Sequence, residues 1–354
     1  MRIAIVAPPW VAVPPVAYGG TEVVLDGLAR GLAASGHDVL LYTTGDSTCP
    51  VPKAWVFERA CGLGVGGAVS EMRHVIRAYE AISGYDIVHD HTLVGPVYAE
   101  RLPNLAVVTT NHGPFDGELH DFYRAIADRV RIIAISHHQA STAGDIPVAA
   151  VIHHGLDVDK YPFGAGGGGY ALFLGRMSPD KGVDAAVRVA RKAGVPLKIA
   201  GKLNEQPEYE YFNECVRPLL GGDIEFIGEV GGVAKFEALG GALCLLNPIQ
   251  WNEPFGMVMI EALASGTPVV ATPRGAAPEL VDDGVTGYLR SREEDLAAAL
   301  QSVGEIERTQ CRKAAETRFS LQPMVAAHVA LFERVLSGEL IPPRFDHLVE
   351  ESAA

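Results

Sequence analysis

A pair of glutamates in the second half of the chain is suited to binding a polyhydroxylated ligand. Glu253 and Glu261, with seven residues between them, lie in a segment that becomes apolar and helical from Gly256 onward. Eight residues at helical rise span about 12 Å, whereas the two carboxylates of a glycosidase lie roughly 5–10 Å apart. The spacing therefore indicates contact with two ends of an elongated ligand rather than attack on one glycosidic bond.

The start of the same predicted helix is a candidate phosphate site. Unpaired amides at a helix N-terminus attract anions, and Gly256 permits close approach of the backbone. In a structural alternative, Glu253 is a helix-start charge and Glu261 a solvated helix residue. A free carboxylate is costly among apolar neighbours such as Ile260, which favours a binding role for Glu261. The amides concerned belong to Phe255, Gly256, Met257 and Val258.

Two cations flank a predicted turn at the start of the second half. Arg176 follows the apolar run at 171–174, and Lys181 precedes a predicted helix. A guanidinium fork and an ammonium charge suit a diphosphate and stabilise charge developing on a leaving phosphate. A surface turn with two cations is the structural alternative, which the acidic helix downstream makes less favoured.

The elements that must position these residues alternate between short apolar runs and helical segments. Strand–helix–strand units of this kind predict parallel sheets, with ligands bound at the carboxyl ends of the strands. The strands are expected at 2–7, 38–43, 87–89, 106–110, 131–135, 148–153, 171–174, 197–200, 225–227, 244–246 and 268–271. The helices are expected at 21–35, 70–82, 182–193, 208–220, 232–239, 256–264, 293–302 and 322–337.

A glycine-rich run at 164–169 divides the chain and predicts a flexible hinge. With 354 residues, the chain is long enough for two domains. We expect doubly wound domains at 1–163 and 170–320, with a ligand bound across the crevice between them.

Composition narrows the function classes. A net charge of −14 argues against nucleic acid and anionic membranes as partners. Five scattered cysteines indicate reduced thiols rather than a disulfide framework. The first apolar run is too short for a signal peptide, and the sequence has no uninterrupted apolar stretch of about 18 residues. These features predict a soluble, cytoplasmic protein.

The motifs and their order resemble glycosyltransferase family 4. The resemblance rests on Glu253 and Glu261, on Gly175-Arg176 with Lys181-Gly182, on Thr267–Thr272 leading to Glu279–Gly287, and on Tyr18-Gly19-Gly20-Thr21-Glu22. It covers nearly the whole chain. In the segment from His153 to Asp157, His154 replaces the usual asparagine of the family. We expect this departure to affect the interdomain linker and not the donor site.

The resemblance implies an α/β fold of the GT-B type. Two doubly wound Rossmann-like domains would face a central cleft, and a C-terminal helix at about 322–340 would cross back to the first domain. Residues 1–163 would form the acceptor side and residues 170–320 would bind the nucleotide-sugar. The implied reaction moves a hexose from a UDP- or GDP-sugar to a small soluble hydroxyl acceptor, with retention of configuration and without metal or another cofactor.

The resemblance also implies roles for individual residues. Arg176 and Lys181 would hold the diphosphate, Glu253 the hydroxyls of the donor sugar, and Glu261 those of the ribose. His112 matches the family histidine near the reacting carbon and completes a catalytic set with Arg176, Lys181 and Glu253. The remaining donor contacts would come from the loop at Gly19 and Gly20, the backbone at Val230, and the amides of Phe255, Gly256, Met257 and Val258.

Other motifs have simpler interpretations. Asp157 and Asp159 have the Asp-x-Asp form of metal-dependent transferases, but they lie in the predicted linker. The His89-Asp90-His91 run is expected to line the acceptor pocket or to make local hydrogen bonds rather than bind metal. His137-His138 has no obvious ligand partners. The glycines of 62–67 do not follow a good strand, so a dinucleotide loop is disfavoured.

Rival functions share much of this pattern. A nucleotide-sugar 2-epimerase would need acid and base carboxylates in the cleft and no acceptor. A non-catalytic binding module would keep Arg176 and Glu261 and would lose His112 or Glu253, and all four are present. A lipid acceptor is disfavoured because the helix at 70–82 mixes arginines with glutamates. The nucleotide base, the sugar, the acceptor and the oligomeric state are left open.

Overall fold

A computed structural model describes residues 1–17, 19–62 and 67–339 of the chain. Within these ranges the protein consists of two parallel sheets, each with an apolar core on both of its faces. Strands buried on both faces explain the continuous apolar runs in the sequence. The predicted α/β architecture is confirmed.

The first sheet has seven described strands in the order β3-β2-β1-β4-β5-β6-β7. All neighbouring strands are parallel, so their carboxyl ends meet at one edge. In chain order the strands are β1 (Arg2–Val6), β2 (Asp38–Thr43), β3 (Lys53–Trp55), β4 (Ile87–Asp90), β5 (Ala106–Thr110), β6 (Arg131–Ala134) and β7 (Val148–Val151).

The second sheet has six described strands in the order β10-β9-β8-β11-β12-β13. These strands are also parallel, and the order reverses at β8 and β11, where open α/β sheets bind ligands. They are β8 (Ala171–Arg176), β9 (Leu197–Lys202), β10 (Ile224–Gly228), β11 (Cys244–Asn247), β12 (Val269–Ala271) and β13 (Gly287–Leu289).

Helices cover both sheets. The predicted helix at 208–220 is broken into one α-helical turn, a wider turn at 212–216 and a tight turn at 217–219, where Pro218 has no N–H to donate. The α-helices are α1 (Gly20–Ala34), α2 (Ala68–Ala81), α3 (Val94–Tyr98), α4 (Gly117–Ile126), α5 (His137–Ser141), α6 (Val183–Ala193), α7 (Gln206–Tyr211), α8 (Gly232–Gly241), α9 (Met257–Ala264), α10 (Ala277–Leu280), α11 (Glu293–Gln301), α12 (Arg308–Arg318) and α13 (Leu321–Leu336).

The last helix crosses back to the first domain, as the resemblance implied. Met324, Val325, Leu331 and Phe332 of α13 are buried in the core between β1 and α1. The two helices approach closely, because a Cβ atom at Gly31 would lie 2.4 Å from Cγ2 of Val325. Residue 340, the end of the range expected for this helix, lies outside the described residues.

The glycine-rich run after β7 is tied to the second domain along its length. The amides of Gly164, Gly166 and Gly168 donate hydrogen bonds to the carbonyls of Ser265, Gly240 and Gly241 at 2.9–3.0 Å. A Cβ atom at Gly164 would lie 2.1 Å from the carbonyl oxygen of Gly240. The prediction of a flexible hinge is therefore wrong, because these glycines allow two backbone segments to touch.

In the part of the chain that the structure describes, no helix combines the length and the apolar character needed to cross a bilayer.

Candidate active site

Lys181 and Glu253 form an ion pair at the carboxyl edge of the second sheet. Lys181 ends a tight turn at 179–181 that follows β8, and only 8% of its surface is exposed. Its ammonium group also lies 5.4 Å from the centre of the Trp251 ring. Lys181, predicted to bind phosphate, and Glu253, predicted to bind the sugar, thus hold each other in place at the start of α9.

Arg176 is the last residue of β8 and remains more accessible than Lys181. Its side chain is 39% exposed and forms an ion pair with the Asp180 carboxylate at 3.6 Å. An exposed pair at this distance is weak. The Arg176 guanidinium therefore remains accessible from solvent.

Glu261 is buried in α9 and is held by two side chains that the sequence did not single out. Its Oε1 accepts hydrogen bonds from the Tyr161 hydroxyl at 2.9 Å and from the Lys235 ammonium at 2.6 Å. Burial, with the neighbouring Glu261 carboxylate as a second cause, raises the pKa of Tyr161 well above its ordinary value. The Tyr161 hydroxyl therefore remains a donor. Tyr161 comes from the linker and Lys235 from α8, so no spacing rule relates them to Glu261.

The start of α9 has the geometry expected of an anion site. Gly256 adopts φ 102° and ψ 65°, a left-handed conformation that favours glycine. A Cβ atom there would also lie 2.4 Å from Cε of Met259. No side chain caps this helix start. Within the first turn the Met259 amide donates to the Gly256 carbonyl at 3.0 Å, and the Glu253 carboxylate lies beside Gly256.

The glycine loop of the first domain meets this helix across the cleft. A Cβ atom at Gly20 would lie 3.5 Å from Cγ of Met257, and one at Gly231 would lie 2.7 Å from the carbonyl oxygen of Val16. Val230 is partly buried against the core of the second domain. The predicted donor contacts at Gly19–Gly20, Val230 and the start of α9 are thus brought to one interdomain region, and Tyr18 lies outside the described residues.

Glu22 adds a buried carboxylate to this region. It lies in the first turn of α1, and its Oε2 would be 2.8 Å from a Cβ atom at Gly19. Burial raises the pKa of Glu22 to about 7. A pKa near 7 leaves this carboxyl group partly protonated at neutral pH, which lowers its repulsion of an anionic ligand.

His112, which follows β5, lies in a group of histidine rings. Its Nε2 is 2.9 Å from Nδ1 of His91, and burial lowers the pKa of His112 to about 4. The His154 ring stacks on His112 with centroids 5.2 Å apart, and it contacts Phe255 at 5.0 Å. The expectation that His154 affects only the linker is therefore wrong, since its ring lies between two predicted site residues.

The His89-Asp90-His91 run makes local hydrogen bonds. Asp90 is fully buried and accepts from the Tyr79 hydroxyl at 2.8 Å and from the amide of Thr92 at 2.8 Å. His89 is also fully buried and lies 2.8 Å from the hydroxyl of Thr110. Neither residue lines the cleft, so the hydrogen-bonding interpretation is the one that the structure supports.

Glu279 connects the second domain to the first. Its carboxylate accepts from the amides of His137 and His138 at 2.8 and 2.7 Å and lies 2.8 Å from Nε2 of His153. Although burial opposes it, these hydrogen bonds lower the pKa of Glu279 to about 2. Potential ligand atoms of His137, His153 and Glu279 lie within 4.8 Å of one another, so the view that His137 lacks partners is wrong.

The Asp-x-Asp motif is split between two arginines. Asp157 lies 3.2 Å from Arg30 of α1, and Asp159 lies 3.7 Å from Arg312 of α12. The Asp159 side chain is almost fully exposed. The two carboxylates thus have separate partners and do not converge. Most of the 62–67 glycine motif lies outside the described residues.

Two Rossmann-like domains, each built on a parallel sheet, are the architecture of the GT-B class of glycosyltransferases. Two sequence-family models match this chain: Glycosyltransferase Family 4 over residues 18–160, and Glycosyl transferases group 1 over residues 164–318. Together these matches take in most of the sequence. The chain belongs to glycosyltransferase family 4.

Known proteins similar to the chain agree with this assignment. A phosphatidyl-myo-inositol mannosyltransferase of Mycolicibacterium smegmatis is 26% identical over 344 residues, covering 88% of this chain and 86% of that protein. AviGT4, a glycosyltransferase involved in avilamycin A biosynthesis, is 27% identical with a TM-score of 0.73, covering 96% of this chain and 98% of its own. Alr3699/HepE of Anabaena, solved with UDP and glucose, is 18% identical with a TM-score of 0.75 and covers 94% and 99%. At that identity it supports the fold alone.

Proposed function

We propose that the protein is a retaining hexosyltransferase that uses a UDP- or GDP-sugar, a hydroxyl acceptor and no metal ion. The observation that carries this proposal is the pair of carboxylate–ammonium contacts around α9, Lys181 with Glu253 and Lys235 with Glu261. A nucleotide-sugar has hydroxyls at both ends and anionic phosphates between them. The arrangement offers carboxylates for the hydroxyls and cations with helix amides for the phosphates.

Each part of the proposed donor has a binding partner among these residues. Glu261, oriented by Tyr161 and Lys235, accepts hydrogen bonds from the ribose hydroxyls. Arg176, Lys181 and the first amides of α9 bind the diphosphate and stabilise the charge that grows on it as it leaves. Glu253 accepts from the sugar hydroxyls. The M. smegmatis relative is a mannosyltransferase, which supports a hexose as the transferred group.

The proposed chemistry needs no separate side-chain base. The acceptor oxygen forms a bond to the anomeric carbon on the face from which the phosphate oxygen departs, so configuration is retained. The acceptor proton passes to the leaving phosphate oxygen, and the nucleoside diphosphate dissociates. His112, neutral because its pKa is about 4, contributes hydrogen bonding near the reacting carbon rather than a positive charge.

A metal-free thermal-shift panel of nucleoside diphosphates and their sugars, with and without EDTA, tests the donor site. Stabilisation by one nucleoside diphosphate, unchanged by EDTA, supports the proposal and identifies the base. Stabilisation that requires a divalent ion contradicts the metal-independent reaction. NMR of the product formed with an added acceptor then reads the anomeric configuration. Interconversion of sugars without an acceptor would favour the 2-epimerase instead.

A further inference from the structure

A row of imidazole rings runs through the first domain and ends at the start of α9. Neighbouring rings lie 4.0–5.2 Å apart between centroids, and the row begins on α13 and ends in the interdomain segment. The last ring contacts Phe255. In spatial order the row contains His328, His89, His91, His112 and His154.

The rings of this row are neutral at physiological pH. Burial, reinforced by the proximity of the other imidazoles, lowers the pKa of His89, His91 and His154 well below the usual value. A neutral imidazole carries one proton, so one ring nitrogen donates and the other accepts. The tautomer of each ring is therefore set by the partners of its two nitrogens.

The contact between His91 and His112 couples the tautomers of these two rings. Nδ1 of His91 lies 2.9 Å from Nε2 of His112, so one of these atoms donates to the other. Nε2 of His91 is buried and has no hydrogen-bond partner among the described residues. A proton there would be an orphaned N–H, which is costly and rarer in folded proteins than an unsatisfied acceptor.

We propose that His91 is a positioning residue that donates from Nδ1 to Nε2 of His112 and thereby keeps the proton of His112 on Nδ1. His112 then offers an N–H, not a lone pair, to the ligand in the cleft. The catalytic meaning of this inference rests on the proposed function, since His112 acts on the donor only if the protein is a transferase. The tautomer itself is independent of that function.

The surroundings of His91 hold it in the required place. Its backbone amide donates to the carbonyl of Val6 at 2.9 Å, and its ring packs against His89 at 4.0 Å. The preceding Asp90 accepts from both the amide and the hydroxyl of Thr92, which fixes the turn after β4. A ring fixed in this way can impose a tautomer on its neighbour.

Substitutions at His91 test the donor nitrogen separately from the rest of the imidazole ring. In His91→Asn the amide nitrogen occupies roughly the position of Nδ1 and can still donate, whereas in His91→Gln it lies about one bond further out. Long-range ¹⁵N–¹H spectra report the tautomer directly, because protonated and bare ring nitrogens resonate far apart. We expect His112 to be protonated on Nδ1 in the wild-type protein and in His91→Asn, but not uniformly so in His91→Ala or His91→Gln.

Kinetics then tests the consequence for transfer. We expect His91→Ala and His91→Gln to lower kcat by about 10–100-fold, as for the loss of a hydrogen bond that orients a functional histidine, with the donor KM within about 2-fold and substantial rescue in His91→Asn. Far-UV circular dichroism and thermal melting verify folding. The matched control is His328→Asn, which should leave the His112 tautomer unchanged. His328 is a buried ring of the same row, and its Nδ1 lies 2.8 Å from the Met324 carbonyl oxygen.

The proposal is overturned if His112 of the wild-type protein carries its proton on Nε2, or if His91→Ala leaves the tautomer unchanged. It is also overturned if a folded His91→Ala variant transfers sugar at the wild-type rate. A wild-type protein that transfers no sugar, yet shows the expected tautomers, would contradict the proposed function and leave the hydrogen-bond assignment intact.

Discussion

The ammonium group of Lys181 contacts the carboxylate of Glu253 across 72 residues of sequence. Both side chains are largely shielded from solvent, with 10% and 17% of their surfaces exposed. Removing one partner of such a pair leaves the other charge shielded and unpaired, which costs more than the pair itself contributes. Because both residues are predicted donor ligands, a change in either one should affect donor binding and also the local stability at the start of α9.

Lys181→Ala is predicted to weaken nucleoside diphosphate binding by at least about 10-fold, since it removes a charge-assisted contact to phosphate. The variant should also melt at a lower temperature, because Glu253 loses its partner. Glu253→Gln should bind the nucleoside diphosphate nearly normally but lose turnover, because the amide replaces only part of its contact with the sugar. Isothermal titration and initial rates measure the two effects. Asp159→Ala is the control, and wild-type donor affinity in Lys181→Ala would refute the phosphate assignment.

Glu261 is predicted to accept hydrogen bonds from the ribose hydroxyls of the nucleotide. Tyr161→Phe removes one of the two hydrogen bonds that orient this carboxylate, a loss of about 0.5–1.5 kcal/mol or roughly 2–12-fold in affinity. A nucleoside diphosphate that lacks a ribose hydroxyl should bind the wild-type protein more weakly than its parent. In Glu261→Ala the two nucleotides should bind alike. A Glu261→Ala variant that still distinguishes them would place the ribose elsewhere.

The parts of the molecule that the sequence predicted correctly are those with long, regular patterns. The apolar runs at 38–43 and 106–110 became strands with the expected bounds, since a strand buried on both faces needs an unbroken apolar run. Short elements such as β3 and β13, with three residues each, were missed, because they contain too few residues to show a period.

The misses in the site have one physical cause. Tyr161, Lys235 and the ring of His154 reach the site through tertiary packing between elements that are distant in sequence, and neither spacing nor composition encodes such contacts. The glycine run at 164–169 was misjudged for the same reason. Composition shows that the glycine backbone can bend. It does not show that the carbonyls of Gly240 and Gly241, at the end of α8, accept hydrogen bonds from this run.

Glu279 is predicted to make the protein's stability depend on acid pH. Its pKa is about 2 in the folded protein against 4.5 for a free side chain, so its stabilisation is complete above about pH 4.5 and is lost as the pH falls toward 2. Glu279→Gln should lower the free energy of unfolding at pH 7 by about 1–3 kcal/mol and flatten the decline between pH 5 and 3. Urea unfolding across this range measures both effects. Glu214→Gln, at an exposed site, is the reference, and equal pH profiles for the two variants would contradict the Glu279 contacts.

Gly164→Ala is predicted to destabilise the protein, whereas Gly167→Ala is not. A Cβ atom at residue 164 would lie 2.1 Å from one backbone oxygen and 2.2 Å from a backbone carbon of Gly240, so two main-chain segments would have to separate. Overpacking of this kind costs about 1–3 kcal/mol. A Cβ atom at residue 167 meets no atom within 4 Å, and a change there should stay within about 0.5 kcal/mol. Thermal and urea unfolding of both variants decide the matter. If the two variants prove equally stable, the glycine run at 164–169 does not pack against residues 240–241. The result would then favour the flexible hinge that its composition suggested.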